Sequence, residues 1–370
     1  MVAPYHMRAM ELGMTADYRG KKIAVAMSGG VDSSTVAALL KEQGAEVIGI
    51  NMKLFFREGE DPQAKGDAEI VADHLGIEFH QVRLEEEFAR IIVDDFRAQY
   101  LGGETPNPCV RCNRYVKFGL LLDKALELGA DFLATGHYVR TSRDPDGIYH
   151  LLKASYLAKD QSYFLYTLTQ QQLSRVVFPL GEMPSKEEVR RLAAGFALPV
   201  AQKGDSQEIC FVPGDDYVAF LEQDSSLAGS SGEIVHVSGT VLGRHNGTHR
   251  YTIGQRRGLG IAWKEPLYVL AIDAAEGRVV VGEVDGLFAP GLKVCDLNWI
   301  VAPAGETVRT TCKIRYRQQP VECSVTLLGD GCGEIRFSEP QKSVTPGQSV
   351  VFYQGEELLG GGRIVAALRS

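Results

Sequence analysis

"KKIAVAMSGGVDSSTVAALLKEQG" (residues 21–44) joins an apolar run to a helix-forming segment through a glycine-rich turn. A continuous apolar run that ends in glycine is typical of a strand buried on both faces of a parallel sheet. The helix formers that follow predict a helix that ends at Gly44. A strand, a glycine turn and a helix in this order predict the first unit of a doubly wound α/β sheet.

The same alternation continues to about residue 140. Strand-like segments at 45–55, 77–84 and 131–139 alternate with helix-like segments, which lie at 61–76, 85–102 and 114–130. This pattern predicts a parallel sheet with right-handed crossovers. A ligand of such a sheet is expected beyond the carboxyl ends of the strands.

The character of the chain changes after residue 212. A capping box at Ser185 and Glu188 still predicts a helix, but residues 230–370 read as short β-branched strands broken by glycine, "KIRY" (313–316) among them. We expect an N-terminal extension at 1–20, an α/β domain at 21–212, a small central domain at 213–284 and a C-terminal β-barrel at 285–370.

Charge and composition exclude some functions. A net charge of −8 argues against indiscriminate binding of nucleic acid, and no apolar run approaches the roughly 20 residues of a membrane span. Two basic segments, 243–258 and 313–319, favour a local phosphate-contacting surface over solvated loop charge, with Arg256 and Arg257 as candidates. The N-terminus does not have the pattern of a secretory signal.

Seven cysteines, an odd number, together with that N-terminus predict the reducing cytoplasm. A structural disulfide between Cys109 and Cys112 is therefore disfavoured. Four other cysteines lie in strand-like stretches without ligand spacing and are expected to be ordinary half-buried thiols. They are Cys295, Cys312, Cys323 and Cys332.

The glycine loop "AMSGGVDSS" (26–34) carries the strongest chemical signal. Gly29 and Gly30 let the backbone form a concave nest of N–H groups, and the following helix points its positive end into it. Serine hydroxyls add donors, and Asp32 either reaches a metal or caps the helix. The loop has no Walker-type lysine, so it is not a site for γ-phosphoryl transfer.

Ser-Gly-Gly-x-Asp-Ser resembles the PP-loop of the ATP pyrophosphatase family. The resemblance implies an adenine nucleotide α hydrolase-like fold that holds the pyrophosphate of ATP, with Mg²⁺, and transfers AMP to an oxygen. It also implies which residues contact ATP: Ala26, Met27, Ser28, Gly29, Gly30, Val31, Asp32 and Ser33 in the loop, with Met52 and Gly136 at the adenine and ribose.

A chain with an adenylating loop and reactive-looking thiols suits the exchange of oxygen for sulfur. The carbonyl oxygen of a urea-like ring is a very poor leaving group, and attaching AMP makes it a good one that a sulfur nucleophile can displace. The candidate thiols are the Cys109-x-x-Cys112 pair and Cys210, which follows a Gly-Asp-Ser turn. Beside Phe211 and Val212, a lone cysteine would otherwise suggest a buried small hydrophobe.

Seven motifs in order resemble the tRNA-specific 2-thiouridylases of the MnmA (TrmU) type. They are "AMSGGVDSS", "TPNPCVRCN", "ATGHY", "KDQSYFLYTL", "GDSQEICF", "YTIGQRRGLGI" and "SVTPGQSVVFY". The resemblance implies thiolation of the wobble uridine in Lys, Glu and Gln tRNAs by a PP-loop domain, a central domain and a C-terminal β-barrel that hold the anticodon stem-loop.

Position by position, the resemblance implies that Cys112 is the nucleophile and Cys210 carries a persulfide. Asn107, Pro108 and Cys109 would line the target base. The implied tRNA contacts are His137, Lys159, Asp160, Gln161, Arg315, Tyr316 and Gln348. The aromatic residues that follow Gln161 are expected to be core.

The chain departs from this family at Cys109, where many members have an aspartate with a role in proton transfer. Three readings stay open. In a relay, Cys112 resolves a Cys210 persulfide and Cys109 is auxiliary. In the second, the three cysteines hold a 4Fe–4S cluster whose open iron delivers hydrosulfide. In the third they bind zinc, but a fourth ligand with suitable spacing is not visible.

Two rival functions are weighed as well. Ammonia transfer to an adenylated carbonyl would require a glutaminase and leave the three cysteines without a role. A non-catalytic tRNA-binding protein with a nucleotide switch would release no AMP and pyrophosphate. Because no sulfur-loading domain is recognisable, a separate cysteine desulfurase or persulfide relay protein is expected as a partner, or free sulfide if a cluster is present.

Overall fold

The computed structural model describes residues 17–55, 65–204, 209–223 and 231–369. Contacts divide the chain into two units. Unit 1 comprises Met1–Ile91, Val110–Gln207 and Gly355–Leu358. Unit 2 comprises Ile92–Cys109, Glu208–Gln354 and Leu359–Ser370. The Cys109-x-x-Cys112 motif is therefore divided between the two units.

A five-stranded parallel sheet forms the centre of unit 1. Its strands are β1 (Lys22–Ala26), β2 (Glu46–Lys53), β3 (Glu78–Arg83), β4 (Phe132–Ala134) and, after two intervening strands along the chain, Val176–Val177. Their spatial order is β3-β2-β1-β4 and then Val176–Val177, and each neighbouring pair is parallel. The predicted doubly wound α/β sheet is confirmed.

Nine α-helices lie in the described part of the chain. They are α1 (Val31–Glu42), α2 (Asp67–Leu75), α3 (Glu85–Phe88), α4 (Asp94–Leu101), α5 (Pro108–Arg111), α6 (Leu121–Glu127), α7 (Gln170–Leu173), α8 (Lys186–Gly195) and α9 (Tyr217–Glu222). Wider π-helical turns join α3 to α4 and α5 to α6, at Ala89–Val93 and Cys112–Leu120. Short 3-10 turns lie at Leu157–Lys159, Ser162–Phe164, Pro213–Asp215, Thr248–Arg250 and Val284–Leu287.

Burial explains the βα unit at residues 22–42. The three central residues of β1 are buried, as a strand covered on both faces requires. Nine of the twelve residues of α1 are also buried, so this helix packs deep in the core of unit 1. The helix ends before Gly44, whose φ of +87° is one that glycine adopts without strain.

One predicted element of unit 1 differs from the structure. The predicted strand 131–139 is only three residues long, because the chain turns at Gly136 and begins β5 (Val139–Arg143). That strand pairs with β6 (Tyr149–Lys153), which also pairs with Glu357 and Leu358. At the predicted capping box, the Ser185 side chain does accept the Glu188 N–H, at 3.2 Å.

Unit 2 contains a small four-stranded sheet. With Val176–Val177 counted as β7, its strands are β8 (Gly232–His236), β9 (Val241–His245), β10 (Tyr268–Asp273) and β11 (Arg278–Gly282). Their order is β10-β11-β8-β9, with β11 and β8 parallel and the other pairs antiparallel. Ile234, Val269, Val279 and Val281 form its apolar core.

A closed six-stranded barrel follows in unit 2. Its strands are β12 (Phe288–Trp299), β13 (Thr307–Lys313), β14 (Val321–Gly329), β15 (Cys332–Lys342), β16 (Ser349–Gln354) and β17 (Glu357–Leu368). The order is β12-β15-β14-β13-β16-β17, and pairing of β12 with β17 closes it. Closure leaves no strand edge unpaired. The predicted C-terminal β-barrel is confirmed.

The cysteines of the barrel correct one prediction. Cys295 and Cys332 form a disulfide instead of being ordinary thiols. Adjacent antiparallel strands bring them face to face, because β12 pairs with β15 such that Val294 lies opposite Gly333. Cys312 and Cys323 are free thiols but fully buried rather than half-buried. A hydrogen bond with Cys323, together with burial, raises the pKa of the Cys312 thiol far above its ordinary range.

"KIRY" was wrongly predicted as a strand. The strand β13 ends at Lys313, and Ile314 donates its N–H to the side chain of Gln318 at 3.0 Å, which turns the chain away from the ladder. Among the described residues, no helix is both long and apolar enough to cross a membrane.

Candidate active site

The glycine loop lies between β1 and α1, at the carboxyl end of the central strand. Gly29 has φ +73°, and an added Cβ there would lie 2.7 Å from the Cβ of Asp67, so only glycine fits. Ser28 is exposed, and its N–H donates to the Oγ of Ser33 at 3.2 Å. Gly30 is the N-cap of α1 and supplies no side-chain cap. The start of α1 is therefore not capped by a side chain of its own N-cap residue, as an anion-binding helix start requires.

The strands bring two further predicted residues near this loop. A Cβ on Gly136 would lie 3.0 Å from the N of Ser33 and 3.1 Å from the Cβ of Asp32, so the turn after β4 packs directly on the start of α1. Met52 is half-buried near the end of β2. The loop, Gly136 and Met52 all follow or end parallel strands, where ligands of such sheets bind.

Asp32 is held by two residues that were not predicted. Lys186 donates to both carboxylate oxygens at 2.7 Å, and the hydroxyl of Tyr138 donates to Oδ1 at 2.7 Å. Asp32 is therefore not the helix cap that was one predicted alternative. The sequence offered a signal for Tyr138, which ends "ATGHY". For Lys186 it offered none beyond the helix start at which it stands.

A second lysine, Lys203, forms a hydrogen bond with the backbone of the glycine loop. Lys203 donates to the carbonyl oxygen of Gly29 at 3.1 Å and forms an ion pair with Asp67, the first residue of α2. Lys203 directly precedes the motif "GDSQEICF", of which residues 205–208 lie outside the described residues. This contact was also missed, because a lone lysine between motifs carries no spacing signal.

His137 is half-buried in the turn that follows β4. Burial lowers its pKa well below the ordinary value, with a smaller contribution from the nearby Lys117 charge. Its Nδ1 lies 2.8 Å from the hydroxyl of Thr135, and its ring packs against Phe118 and Phe178. A predicted tRNA contact here would thus be a hydrogen bond or a stacking contact and not a charge–phosphate pair.

The predicted tRNA-contacting residues 159–161 form mainly hydrogen bonds to other residues of unit 1. Asp160 is buried and accepts from the N–H groups of Ala154 and Ser162 and from the Ser162 hydroxyl. Gln161 accepts from the N–H of Tyr138 at 3.0 Å. Lys159 is half-buried. The expectation that the following aromatic residues are core is confirmed for Tyr163 and Tyr166, which are buried.

Cys112 begins the π-helical turn of unit 1 and is half-buried. Its neighbour Asn113 is buried and donates its side-chain N–H to the carbonyl of Phe164 at 3.1 Å. Within the described part of the chain, the Asn113 Oδ1 has no hydrogen-bond partner. Single π-helical turns inside α-helices are frequent at functional sites, and the sequence pattern of 114–130 gave no sign of this one.

In unit 2, the segment before Cys109 is anchored to the barrel. The Gln348 side chain donates to the carbonyls of Thr105 at 2.9 Å and Pro106 at 3.2 Å. Arg363 pairs with Glu104 at 3.0 Å. Asn107 is half-buried, Pro108 buried and Cys109 exposed. The structure thus brings Gln348 together with the predicted base-lining segment, as its anchor.

The other predicted contacts in unit 2 lie on the barrel surface and in the small sheet. Arg315 is exposed and donates to the carbonyl of Ser343 at 3.0 Å. The ammonium of Lys313 lies 5.7 Å from the ring centroid of Tyr316. Arg256 and Arg257 are exposed. A cavity of about 550 Å³ beside them is lined by residues of the basic segment, including Arg244, His245, Arg250 and Gln255.

Cys210 is exposed, which contradicts the reading of a buried small hydrophobe. Its neighbour Phe211 is buried, with ring centroids 5.2 Å from Phe96 and 5.4 Å from Phe220. These edge-to-face contacts tie the chain to α4 and α9 within unit 2. The aromatic anchor leaves the preceding thiol at the surface.

No group of three or more His, Cys, Asp or Glu side chains could hold a metal ion among residues 17–55, 65–204, 209–223 and 231–369. Asp32 offers a single carboxylate at the glycine loop. Mg²⁺ bound with a nucleotide needs only one or two carboxylates beside the phosphates, so Asp32 fits that ion.

Known sequence families match three consecutive parts of the chain. They are the tRNA methyl transferase HUP domain at residues 21–214, the tRNA methyl transferase PRC-barrel domain at 219–283 and the aminomethyltransferase beta-barrel domain at 290–364.

Curated relatives match over nearly the whole length. The chain is similar to the tRNA-specific 2-thiouridylase MnmA of Pelobacter propionicus, at 62% identity over 354 residues, which are 94% of this chain and 98% of the relative. It is 61% identical to the protein of the same name from Trichlorobacter lovleyi, with the same coverage. Among solved structures, the U34-tRNA thiolase NcsA of Methanococcus maripaludis, with its 4Fe–4S cluster, matches 60% of this chain and 72% of its own at 22% identity and a TM-score of 0.36.

Proposed function

Because the chain belongs to the tRNA-specific 2-thiouridylase family, a family of sulfurtransferases, we propose that it replaces the 2-oxygen of the wobble uridine in tRNA by sulfur. The tRNAs would be those for Lys, Glu and Gln. The observation that carries the proposal is the glycine loop with Gly136 packed against its helix, because this hollow suits the pyrophosphate of ATP.

In the first step, the loop would position ATP for transfer of AMP to the C2 oxygen, with release of pyrophosphate. The exposed Ser28 and the uncapped start of α1 supply donors for the phosphates. When bound, Mg²⁺ would neutralise charge on the phosphates, with Asp32 as its protein ligand. Met52 and Gly136 would contact the adenine and ribose.

In the second step, we propose a thiol relay. A donor protein loads a persulfide on Cys210, and its terminal sulfur attacks C2 and expels AMP. The Cys112 thiolate then attacks the sulfur of Cys210, which forms a Cys112–Cys210 disulfide and leaves the thiolate on C2. An external thiol reductant restores both cysteines. Cys109 would be an auxiliary thiol beside the base, together with Asn107 and Pro108.

The exposure of Cys210 supports the relay, because a donor protein must reach the thiol that it loads. A 4Fe–4S cluster held by Cys109, Cys112 and Cys210 is the alternative chemistry and would supply hydrosulfide to the activated base. Related proposals are the domain bounds 21–212, 213–284 and 285–370, binding of the anticodon stem-loop, and a cytoplasmic location that keeps the thiols reduced.

The test is to purify the protein without oxygen and to assay iron, acid-labile sulfide and tRNA thiolation in parallel. We expect iron-free protein with ATP, a persulfide donor and tRNA to form 2-thiouridine and to release AMP and pyrophosphate in equal amounts. Thiolation that requires iron and is lost in Cys109→Ala would replace the relay with the cluster. Release of AMP with ammonia incorporated in place of sulfur would overturn thiolation altogether.

A further inference from the structure

Three side chains in unit 1 form a hydrogen-bonded cluster at the glycine loop. Lys186 is the first residue of α8, Tyr138 follows the turn at Gly136, and Asp32 stands in the first turn of α1. Lys186 is 7% exposed and Tyr138 2% exposed. Lys186 and Tyr138 together donate three hydrogen bonds to the Asp32 carboxylate, and each is 2.7 Å long.

The burial of Lys186 makes its ion pair with Asp32 energetically important. An ammonium group that is withdrawn from water requires a counter-ion, and within the described part of the chain Asp32 is the carboxylate paired with it. The side chain of Asp32 itself keeps about a third of its surface exposed, at 32%. The exposed part of the Asp32 side chain can therefore contact an incoming ligand while Lys186 remains hydrogen-bonded to the carboxylate.

We propose that Lys186 and Tyr138 are positioning residues that orient the Asp32 carboxylate and reduce its negative charge, so that the loop takes up a divalent cation only together with the phosphates of ATP. The inference rests on the proposed adenylation. An ammonium at 2.7 Å weakens the attraction of a carboxylate for a second cation. The phosphates supply the charge that the shared carboxylate lacks.

This arrangement has a use in a reaction that starts from ATP. A carboxylate without a counter-ion would bind free Mg²⁺ before the nucleotide, and the metal would occupy the hollow intended for the phosphates. A carboxylate held by Lys186 leaves the hollow open until Mg²⁺ and ATP arrive together. Tyr138 helps to orient the Asp32 carboxylate, because the hydrogen bond from its hydroxyl fixes the position of Oδ1 and so the plane of the carboxylate.

The simpler reading is that the pair only joins α8 to α1. Both readings predict a loss of stability on removal of Lys186, so stability does not separate them. They differ in the affinity for a divalent cation, which a merely structural pair would leave unchanged. Lys186→Arg provides a matched control, because it keeps a positive charge beside Asp32.

The experiment measures binding of Mn²⁺ to the full-length protein, without tRNA, by calorimetry and by the electron paramagnetic resonance of free Mn²⁺. It is done with and without α,β-methylene-ATP, which cannot transfer AMP. In Lys186→Met, we expect Mn²⁺ affinity in the absence of nucleotide to rise about tenfold. In Lys186→Arg it should stay unchanged, because the charge beside Asp32 is kept.

A second substitution tests whether Asp32 is the responsible group. Adding Asp32→Asn to Lys186→Met should abolish the gained Mn²⁺ affinity. Tyr138→Phe, which removes a neutral donor, should raise the affinity by about twofold and keeps the proposal testable if Lys186→Met does not fold. Unchanged Mn²⁺ affinity in folded Lys186→Met would overturn the inference.

Failure of the inference and failure of the proposed function give different results. If the original protein thiolates tRNA but neither Lys186→Met nor Tyr138→Phe changes Mn²⁺ binding, only the role of these residues is wrong. If the original protein binds no Mn²⁺ with the ATP analogue and forms no 2-thiouridine, the adenylation itself is wrong.

Discussion

The glycine loop and the cysteine segments are built in opposite ways. The loop lies entirely within unit 1, where Tyr138, Lys186 and Lys203 fix it before any ligand binds. The cysteines are distributed, with Cys112 in unit 1 and Cys109 and Cys210 in unit 2, and the latter two are exposed. A phosphate site benefits from preorganised donors. Thiols that pass on sulfur must be reached by a partner and then by each other.

The largest expected effect separates the two regions by function. Cys112→Ser or Cys210→Ser should lower tRNA thiolation by roughly a thousandfold or more, because each removes a sulfur that the relay requires. Binding of ATP by either variant, measured by calorimetry, should stay within about twofold. Cys109→Ser is the matched comparison and should retain more activity than either. Thiolation by Cys112→Ser at the original rate would contradict the role of Cys112 in the relay.

A glycine substitution should have the reverse effect. Gly29→Ala places a Cβ at φ +73° and 2.7 Å from the Cβ of Asp67, so we expect ATP affinity to fall by about a hundredfold from backbone strain and displaced donors. Loading of a persulfide on Cys210, followed by mass spectrometry, should continue. Gly305→Ala is the control, since a Cβ there meets no atom within 4 Å. Normal ATP binding by Gly29→Ala would show that the loop is not the nucleotide site.

Gln348 tests how the exposed cysteine segment is held. If it anchors Thr105 and Pro106, Gln348→Ala should lower the rate constant of thiolation by about tenfold and leave the dissociation constant of tRNA nearly unchanged. If it contacts tRNA, as the family resemblance implies, the dissociation constant should rise instead. Gln354→Ala, at the exposed end of the strand β16 that begins directly after Gln348, is the control.

The smallest effect concerns acid stability. Burial lowers the pKa of His137 below its ordinary value of 6.5, so the unfolded chain binds more protons, and stability should fall as the pH decreases below about 6.5. In His137→Gln, the slope of unfolding free energy against pH should decrease by up to about 1.4 kcal/mol per pH unit in that range.

His150 supplies the opposite sign. Its hydrogen bond to Glu357 raises its pKa, so its stabilisation is present at low pH and is lost as the pH rises through the raised value. His150→Gln should therefore remove the loss of stability that accompanies a rise in pH above about 6.5, as measured by denaturant titrations at several pH values. A slope for His137→Gln equal to that of the original protein would contradict the lowered pKa of His137.

The α/β sheet was predicted from the sequence more completely than the β-barrel, for a physical reason. The α/β sheet and the loop were predictable because a buried strand, a glycine turn and a helix are local features, each visible within about ten residues. The barrel was predictable as a class, yet "KIRY" was wrongly placed, since a strand end depends on a partner such as Gln318. The Cys295–Cys332 disulfide was missed because strand register is not a local property.

The sequence by itself determined the parallel sheet and the position of the glycine loop, because residue type and spacing along the chain suffice for these, and its resemblance to a known family implied the roles of the three candidate thiols. Only the tertiary structure decided that Lys186 and Tyr138 hold Asp32, that Gln348 anchors the segment before Cys109, and that Cys210 is exposed. These contacts join residues far apart in the chain, and which distant side chains meet is fixed by packing and not by spacing.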